Sequence, residues 1–269
     1  MTELNDAVVV ITGGGTGVGR GLGLEAARRG ARVLIATNSD ASDAVQAIRA
    51  AGGVADWFDV DVSDYPAMKG LAEYTRSTFG SVNVLINNAM PEGAVGTLAN
   101  SDPEVTRRLF DVCITGYFNG IHVFARDLKA SAAAGRPAYV LNVGSEHSLG
   151  VPPHVPAVSA YTVSKYAALG FTDVLRRDFA DTGVGVSLLA PGWVLTERVR
   201  QFIELSTEFA ESVEPIAQTP AAVAHAAFEG LLRHEYIIVT NAKSVPFATA
   251  HAQTILAELG RAATGVDLR

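Results

Sequence analysis

A tyrosine and a lysine stand four residues apart in segment 159–165, at Tyr161 and Lys165. On a helix this spacing places both side chains on one face, where they can act on the same small molecule. A free phenol has a pKa of about 10, so it exchanges protons poorly at neutral pH unless its anion is stabilised. A neighbouring ammonium stabilises that anion and would lower the pKa of Tyr161. The pair therefore predicts an acid/base centre, although the same spacing also occurs on ordinary exposed helices.

The composition is that of a folded protein without nucleic-acid or membrane features. The 269 residues include 48% hydrophobic and 18% charged residues, which suits one large α/β domain or two small ones. The polar N-terminus and the short apolar runs predict neither a secretory signal nor a membrane span. The single cysteine, Cys113, excludes an internal disulfide and a cysteine metal cage, so we expect no metal and the reducing cytoplasm as the compartment. A net charge of −7 without a basic cluster argues against nucleic acid and anionic membranes as partners.

Short β-branched runs alternate with amphipathic segments along the chain. The runs predict strands at 8–11, 32–36, 54–59, 82–86, 138–143, 184–189 and 236–239, with helices at 19–29, 43–51, 65–79, 102–131 and 160–180. Continuous apolar strands between such helices indicate a parallel sheet covered on both faces. We predict an α/β fold with a doubly wound, Rossmann-type parallel sheet of about seven strands, in three α/β/α layers. Because no linker or repeat divides the sequence, we expect a single domain over 1–269.

A glycine-rich turn follows the first predicted strand and begins the first helix. Its spacing is T-G-x-x-x-G-x-G, formed by Thr12, Gly13, Gly17 and Gly19. Glycines there let the backbone approach a pyrophosphate, whose charge the helix N-terminus favours. The G-x-G-x-x-G spacing does not fit, because Arg20 stands where its last glycine would be. The position after the first strand favours dinucleotide binding over a merely flexible turn.

With these motifs the chain resembles the short-chain dehydrogenase/reductase family over nearly its whole length. Six motifs occur in the family's order: the glycine turn, Asp61-Val62, Asn87-Asn88-Ala89, Asn142-Val-Gly-Ser145, Tyr161-x-x-x-Lys165, and Pro191-Gly192 with Thr196. The resemblance implies hydride transfer between C4 of a nicotinamide and a carbinol or carbonyl carbon. It also implies that Tyr161 is the acid/base, that Lys165 lowers its pKa and binds the nicotinamide ribose, and that Ser145 donates to the substrate oxygen.

The resemblance further implies which residues contact the cofactor. Asp61 and Val62 would hold the adenine, while Val194 and Thr196 would fix the nicotinamide carboxamide; Thr196 could alternatively be a simple helix cap. The whole implied set is Thr12, Gly13, Gly17, Val18, Gly19, Thr37, Asn38, Ser39, Asp61, Val62, Asn88, Ala89, Tyr161, Lys165, Pro191, Gly192, Val194 and Thr196.

Two substitutions depart from the family pattern. Cys113 stands where the family usually has a catalytic asparagine, which holds a water that passes protons to the lysine. A thiol hydrogen-bonds poorly, so the relay at this position would be rerouted or weakened. We expect Cys113 to be a small buried apolar residue without a redox role. Met90 stands where the family has the glycine of N-N-A-G, and it would narrow the space near the nicotinamide or substrate.

The spacing before the tyrosine also departs from the pattern. Ser145 precedes Tyr161 by sixteen residues, more than the family's usual gap, so segment 146–158 has the character of an insertion in the substrate loop. Ser148 has the more usual spacing, but its position directly after a strand favours Ser145. His147 in this loop, like Trp193 after the P-G pair, is a candidate substrate contact; a solvated loop histidine is the alternative description of His147.

The end of the second strand bears on the choice of nicotinamide. NAD-linked members usually carry an acidic residue where this chain has Thr37. No arginine for a 2′-phosphate occurs at 37–39, but donors from Thr37, Asn38 and Ser39 would hold a phosphate. The absence of a repelling carboxylate favours NADP(H) over NAD(H). Asp40, an acidic residue close by in the sequence, argues for NAD(H) instead.

The segment 193–220 corresponds to the family's mobile lid over the substrate. Its apolar side chains Val199, Phe202, Ile203, Leu205 and Phe209 recur at roughly helical spacing, which a core-facing and a pocket-facing helix share, and we expect most of them in the core. The C-terminal pattern resembles a subgroup acting on bulky apolar or aryl secondary alcohols, so we predict an apolar or aryl alcohol/ketone as substrate.

The sequence leaves the oligomeric state open between two forms and also allows a function other than catalysis. Family members usually pair through the helices predicted near 103–130 and 160–180, so we expect a homodimer or homotetramer. The departures at Cys113 and Met90 motivate a rival hypothesis, a catalytically weakened cofactor-binding sensor or scaffold protein. Chain length and glycine spacing argue against an epimerase or dehydratase of the family's longer branch.

Overall fold

Seven parallel strands form the centre of the molecule in a computed structural model that describes residues 4–91, 93, 95–155 and 157–265. The strands are β1 Val8–Thr12, β2 Arg32–Thr37, β3 Val54–Asp59, β4 Val84–Asn87, β5 Tyr139–Val143, β6 Gly185–Ala190 and β7 Ile237–Val239. Their order across the sheet is β3-β2-β1-β4-β5-β6-β7, and every neighbouring pair is parallel. The chain therefore reverses its winding direction between β1 and β4, where a crevice opens at the carboxyl ends of the strands.

Helices cover both faces of this sheet. They are α1 Gly17–Arg28, α2 Ser42–Ala50, α3 Tyr65–Thr78, α4 Pro103–Phe110, α5 Gly116–Ala133, α6 Ser159–Asp178, α7 Glu197–Leu205, α8 Thr207–Val213, α9 Pro220–Leu232 and α10 Val245–Gly265. The alternation of β1 shows how the layers are built: Val9 and Ile11 pack with α1, α2 and α9, whereas Val8 and Val10 pack with α3, α5 and α6. The predicted three-layer α/β fold is confirmed.

The predicted helix 102–131 is interrupted. Between α4 and α5 the backbone forms a π-helical turn over Asp111–Thr115. The apolar periodicity of the sequence does not distinguish i→i+4 from i→i+5 bonding, so the prediction had no signal for this turn. After it, α5 packs closely on the loop that follows β3, where a Cβ added to Gly116 would lie 2.5 Å from Val62 Cγ2. The turn brings Cys113 to the inner side of the helix, where it is 1% exposed.

The remaining differences concern boundaries. The helix α1 begins at Gly17, earlier than predicted, and β4 begins at Val84, later than predicted. The single-domain organisation over 1–269 stays a prediction, and residues 1–3, 92, 94, 156 and 266–269 lie outside the described residues. Within the described part of the chain, every helix is too short or too polar to span a lipid bilayer.

The tight contact of α5 with the loop after β3 gives a stability prediction. We expect Gly116→Ala to destabilise the protein by about 1–3 kcal/mol, because the new methyl group overpacks against Val62. Gly70→Ala in α3 is the matched control, since a Cβ there meets nothing within 4 Å; it should stabilise by up to about 1 kcal/mol through helix propensity. Urea unfolding measures both changes, and equal effects of the two substitutions would contradict the packing explanation.

Candidate active site

A cavity of about 790 Å³ occupies the crevice at the carboxyl ends of the strands. Its volume lies in the range of small-molecule and cofactor sites. Almost all predicted site residues line it, namely Gly13, Gly17, Val18, Gly19, Thr37, Asn38, Ser39, Asp61, Val62, Asn88, Ala89, Met90, Ser145, His147, Tyr161, Lys165, Pro191, Gly192, Trp193, Val194 and Thr196. Two predicted residues, Thr12 and Cys113, are buried beneath its wall instead.

Thr12 ties the glycine turn to the neighbouring strand. Its hydroxyl donates to Ile86 O at 3.3 Å and accepts from the backbone N–H groups of Asn88 and Ala89, at 2.9 and 3.1 Å. The Asn88 side chain binds the same turn from the other side, by donating hydrogen bonds to Thr12 O and Gly13 O at 2.9 and 2.8 Å. Thr12 therefore positions the turn with its hydroxyl, in contrast to the prediction that it contacts the cofactor.

The glycine turn needs its glycines for space and for backbone conformation. Gly13 and Gly17 have φ values of +65° and +52°, which side-chain-bearing residues rarely adopt. A Cβ on Gly19 would lie 2.4 Å from Gly13 O. The tight turn presents the N-terminus of α1 to the cavity, where its N–H groups suit a phosphate. This cradle and the cavity that continues toward Tyr161 fit a dinucleotide.

Asp61, at the predicted adenine position, is held in its ionised form. Ser63 donates to its carboxylate from both N–H and hydroxyl, at 2.9 and 2.7 Å, and Arg108 forms an ion pair with it at 2.8 Å. Burial opposes ionisation, but these hydrogen bonds and the charge of Arg108 outweigh it and lower the pKa of Asp61. Arg108 lines the cavity from α4, and no sequence spacing connected it with Asp61.

Tyr161 and Lys165 meet at the inner end of the cavity, with the ammonium above the ring. Lys165 Nζ lies 5.5 Å from the centre of the Tyr161 ring and donates to Val143 O at 2.9 Å. Burial raises the pKa of Tyr161 to about 12, although a hydrogen bond with Ser145 acts in the opposite direction. Burial also lowers the pKa of Lys165. The expectation that Lys165 lowers the pKa of Tyr161 below its usual value is therefore wrong for this structure, because desolvation of the phenolate is the larger effect.

The two candidate serines have different surroundings. The Ser145 side chain lines the cavity, hydrogen-bonds Tyr161 and lies 3.5 Å from Pro191 O, to which it can donate. Ser148 is fully buried, donates to Lys165 O at 2.7 Å and accepts from Ser145 N–H at 3.2 Å. Ser148 therefore holds the start of the substrate loop, and the geometry favours Ser145 as the group that contacts substrate.

Cys113 is a buried neutral thiol. Its Sγ donates to Ala89 O at 3.8 Å, and burial raises its pKa although the charge of Lys165 opposes the rise. One helical turn later, the buried Tyr117 hydroxyl donates to Val143 O at 2.8 Å, the same carbonyl that Lys165 binds. Sequence reasoning missed Tyr117, since an aromatic residue on a buried helix face gives no sign of what its hydroxyl contacts.

The lid contributes an aromatic wall. Trp193 packs edge-on against Phe209 with ring centres 5.3 Å apart, and Phe202 packs against Phe209 at 6.0 Å. The expectation that most apolar side chains of this segment face the core is wrong, because Val199, Phe202, Leu205 and Phe209 line the cavity. The helix α7 has no buried residue, so its apolar face lies at the mouth of the cavity and not against the hydrophobic core.

Polar side chains of α7 fasten the lid to both rims of the cavity. Glu197 accepts a hydrogen bond from Gly17 N–H at 2.9 Å, and Arg198 donates to Pro91 O at 3.3 Å. Thr196 lines the cavity and also caps α7 by accepting from Val199 N–H at 3.3 Å. The Glu197 carboxylate thus occupies part of the anion-binding N-terminus of α1.

His147 is not a solvated loop residue. It is 6% exposed, its Nδ1 lies 2.8 Å from Thr162 Oγ1, and its ring packs edge-on to Tyr161 with the ring centres 5.1 Å apart. Burial lowers its pKa to about 4, so the imidazole is neutral at neutral pH. The adjacent Glu146 is also buried; its carboxylate accepts from Ser244 at 2.6 Å and lies 3.3 Å from His154 Nε2.

Comparison with known proteins agrees with this geometry. The family model described as short chain dehydrogenase matches residues 7–205. "Probable oxidoreductase EphD" of Mycobacterium tuberculosis is 32% identical over 196 residues, which are 72% of this chain and 32% of the relative. The chain thus spans about a third of the length of this relative. The 2,5-dichloro-2,5-cyclohexadiene-1,4-diol dehydrogenase of Sphingobium indicum is 30% identical, over 81% of this chain and 86% of that protein. The cyclohexanol dehydrogenase of Acinetobacter sp. is 29% identical, over 75% of this chain and 78% of that protein.

Solved structures with bound nicotinamide cofactors share the fold. A short chain dehydrogenase/reductase from Burkholderia phymatum in complex with NAD has a TM-score of 0.84 at 26% identity and covers 96% of this chain and 97% of its own. A candidate NAD(P) dependent gluconate 5-dehydrogenase from Beutenbergia cavernae with bound NADP has a TM-score of 0.77 at 25% identity. The match covers 89% of this chain and 97% of that protein's chain. A nicotinamide cofactor is therefore supported, while the two structures differ in which one they hold.

The contact of Glu197 with the glycine turn gives a binding prediction. A carboxylate beside the N-terminus of α1 competes with the phosphates of a dinucleotide. We expect Glu197→Gln, which keeps an acceptor for Gly17 N–H but removes the charge, to lower the cofactor Kd by about 3- to 10-fold, or roughly 1 kcal/mol. Titration followed by the fluorescence of the reduced nicotinamide measures this change. Glu204→Gln, at an exposed position of the same helix, is the control, and an equal effect of both substitutions would contradict a local competition.

Proposed function

This chain belongs to the short-chain dehydrogenase/reductase family, and from that membership we propose that it is an NAD(P)-dependent oxidoreductase acting on secondary alcohols and ketones. One observation carries the proposal: Ser145, Tyr161 and Lys165 line the same cavity as the glycine turn. The wall of the cavity therefore combines a phosphate cradle with hydroxyl groups that can hold and protonate a substrate oxygen.

The roles of the side chains follow from their contacts. In oxidation the substrate loses a hydride from its carbinol carbon and a proton from its hydroxyl, and a carbonyl forms; a bound nicotinamide supplies the hydride acceptor. Ser145 donates a hydrogen bond to the substrate oxygen, and Tyr161 takes its proton. In reduction Tyr161 returns a proton to the same oxygen. Lys165 is fixed on Val143 O with its Nζ 5.5 Å from the Tyr161 ring centre, and in its protonated form it stabilises the phenolate once that has formed.

The high pKa of Tyr161 sets the expected pH dependence. With its pKa raised to about 12, the phenol stays protonated at neutral pH, so it is ready as an acid but scarce as a base. We expect kcat/KM for alcohol oxidation to rise about tenfold per pH unit between roughly pH 7 and 9, whereas ketone reduction stays nearly level there. Initial rates of nicotinamide absorbance at a series of pH values test this.

Tyr161→Phe is the control for this profile. It should lower kcat in both directions by about 10²- to 10⁴-fold. Its cofactor Kd should change less than about tenfold, the effect of one lost hydrogen bond. A variant that retains activity would overturn the assignment of Tyr161. Cofactor binding without any turnover of a ketone panel by the unmodified protein would favour the sensor or scaffold hypothesis over the enzyme.

For the cofactor we propose NADP(H) in preference to NAD(H). The residue that argued for NAD(H), Asp40, accepts a hydrogen bond from Ser42 N–H at 2.8 Å, at the beginning of α2, and it does not line the cavity. That hydrogen bond lowers the pKa of Asp40, so the ionised carboxylate binds the N-terminus of α2. The hydroxyls of Thr37 and Ser39, 3.0 Å apart, face the cavity in its place and suit a 2′-phosphate.

A charge placed at position 37 tests this preference. Thr37→Asp should lower the ratio of kcat/KM with NADP to kcat/KM with NAD by about 100-fold, because the new carboxylate repels the 2′-phosphate and accepts from a free ribose. Asp40→Asn is the control and should leave the ratio within about threefold, since its side chain faces α2. A large rise in the NADP preference of Asp40→Asn would instead mean that Asp40 interacts with the ribose.

The substrate class follows from the lid. Trp193, Phe202 and Phe209 form an aromatic wall of the cavity that Tyr161 also lines, so we propose an apolar, alicyclic or aryl secondary alcohol or the corresponding ketone. The names of the cyclohexanol and cyclohexadiene-diol dehydrogenases among the relatives support a ring-shaped substrate. Segment 193–220 would act as a lid within a single domain.

For assembly we propose a homodimer or homotetramer through α5 and α6. Exposed apolar side chains on these helices, Phe118 on α5 and Val163 and Val174 on α6, support this pairing. The single cysteine and the absence of a basic cluster support a cytoplasmic enzyme of small molecules.

A further inference from the structure

His147 places an unengaged nitrogen beside the proposed acid/base. It follows Ser145 by two residues, lines the same cavity and packs its ring edge-on to Tyr161, with an angle of 78° between the rings. Its Nδ1 is committed to Thr162 Oγ1 at 2.8 Å, whereas its Nε2 has no hydrogen-bond partner among the residues that the structure describes. Nε2 is not among the fully buried side-chain atoms that lack a partner, so it is accessible from the cavity and is a position for a polar group that enters there.

The chemistry of that polar group is limited by the state of the imidazole. Because burial lowers its pKa to about 4, His147 carries no charge at neutral pH. The Thr162 hydroxyl also lies 3.3 Å from Val158 O, so its proton can go to that carbonyl or to Nδ1. Nε2 then offers a lone pair in the first case and an N–H in the second. A hydroxyl group pairs with either form, since it both donates and accepts.

An anionic group fits this position poorly. The neutral imidazole supplies no positive charge, and the neighbouring Glu146 carboxylate is buried and lines the same cavity. Its hydrogen bond from Ser244 and its contact with His154 hold the Glu146 carboxyl group beside the position of the ligand. A substrate carboxylate would therefore lie near another carboxyl group in a poorly solvated place.

We propose that His147 binds a second hydroxyl of the substrate, so that the substrate is a ring-containing diol or the corresponding hydroxyketone. This inference rests on the proposed function, because Ser145 and Tyr161 must hold the oxygen at the reacting carbon. The second oxygen then lies against Nε2, and the ring lies against the aromatic wall of Trp193 and Phe209. His147 is accordingly a specificity-determining residue that discriminates diols from simple alcohols and from hydroxy acids.

Two substitutions separate the two ring nitrogens. The shorter amide of His147→Asn reaches the position of Nδ1 and keeps a partner for Thr162, but it leaves nothing at Nε2. The longer amide of His147→Gln reaches the position of Nε2. The probes are cis-1,2-cyclohexanediol, cyclohexanol and 3-hydroxybutyrate, and the readout is the ratio of kcat/KM between probes, so a general loss of activity cancels.

The unmodified protein should prefer the diol to cyclohexanol by about tenfold or more, as expected for one buried hydrogen bond. His147→Asn should lower this ratio about tenfold, whereas His147→Gln should keep it within about threefold. Equal losses for the two probes in both variants would reduce His147 to a structural role and overturn the proposal. A preference of the unmodified protein for cyclohexanol or 3-hydroxybutyrate would also overturn it.

A binding experiment separates this proposal from the proposed activity. Thermal unfolding is followed with NADP⁺ present, with and without the diol. A rise in Tm on addition of the diol that is retained by His147→Gln and lost in His147→Asn supports recognition of the second hydroxyl, even where no probe is oxidised. Loss of turnover alone would then count against the activity, and the absence of any Tm rise would count against the diol site.

Discussion

The hydrogen bonds of the Thr12 hydroxyl hold together the crevice on which the rest of the site depends. This one oxygen joins the end of β1 to the end of β4, at the place where the winding of the sheet reverses. Thr12 is only 1% exposed. Parallel strands end at one edge, so fixing these two ends fixes the glycine turn on one side and Asn88–Ala89 on the other. The cavity has its shape because both walls are attached to the same buried side chain.

Desolvation is the second constraint, and it acts on four ionisable groups that lie at or behind the cavity wall around Tyr161. It raises the pKa of Tyr161 and Cys113 and lowers the pKa of Lys165 and His147. All four shifts favour the uncharged form, so the polar contacts must supply the order that charge pairs would otherwise give. Val143 O does so by accepting from both Lys165 and Tyr117, which leaves Lys165 Nζ anchored beside the Tyr161 ring.

The fold and most cavity-lining residues could be predicted because both depend on local pattern. Apolar runs define the strands, and motifs such as Thr12–Gly19 or Tyr161 with Lys165 are short segments whose place after a strand fixes where they lie. Contacts between distant segments could not be predicted. Glu197 meets the N–H of Gly17 across 180 residues, and Arg108 reaches Asp61 from another layer. The pKa direction of Tyr161 was also missed, since proximity of a lysine is visible in sequence but the depth of burial is not.

The longer gap between Ser145 and Tyr161 connects these observations to substrate choice. After Ser145 the chain forms a 3₁₀ turn over Glu146–Ser148, capped by Ser145 and Ser148, before it continues toward α6. This turn directs His147 toward Tyr161 and Glu146 toward Ser244, and His154 farther along the loop packs against Phe247 of α10. The C-terminal segment therefore supports the substrate wall from behind. The turn thereby places Nε2 of His147 at the cavity wall with the Glu146 carboxyl group next to it, and a neutral hydroxyl-bearing ligand fits these surroundings better than an anionic one.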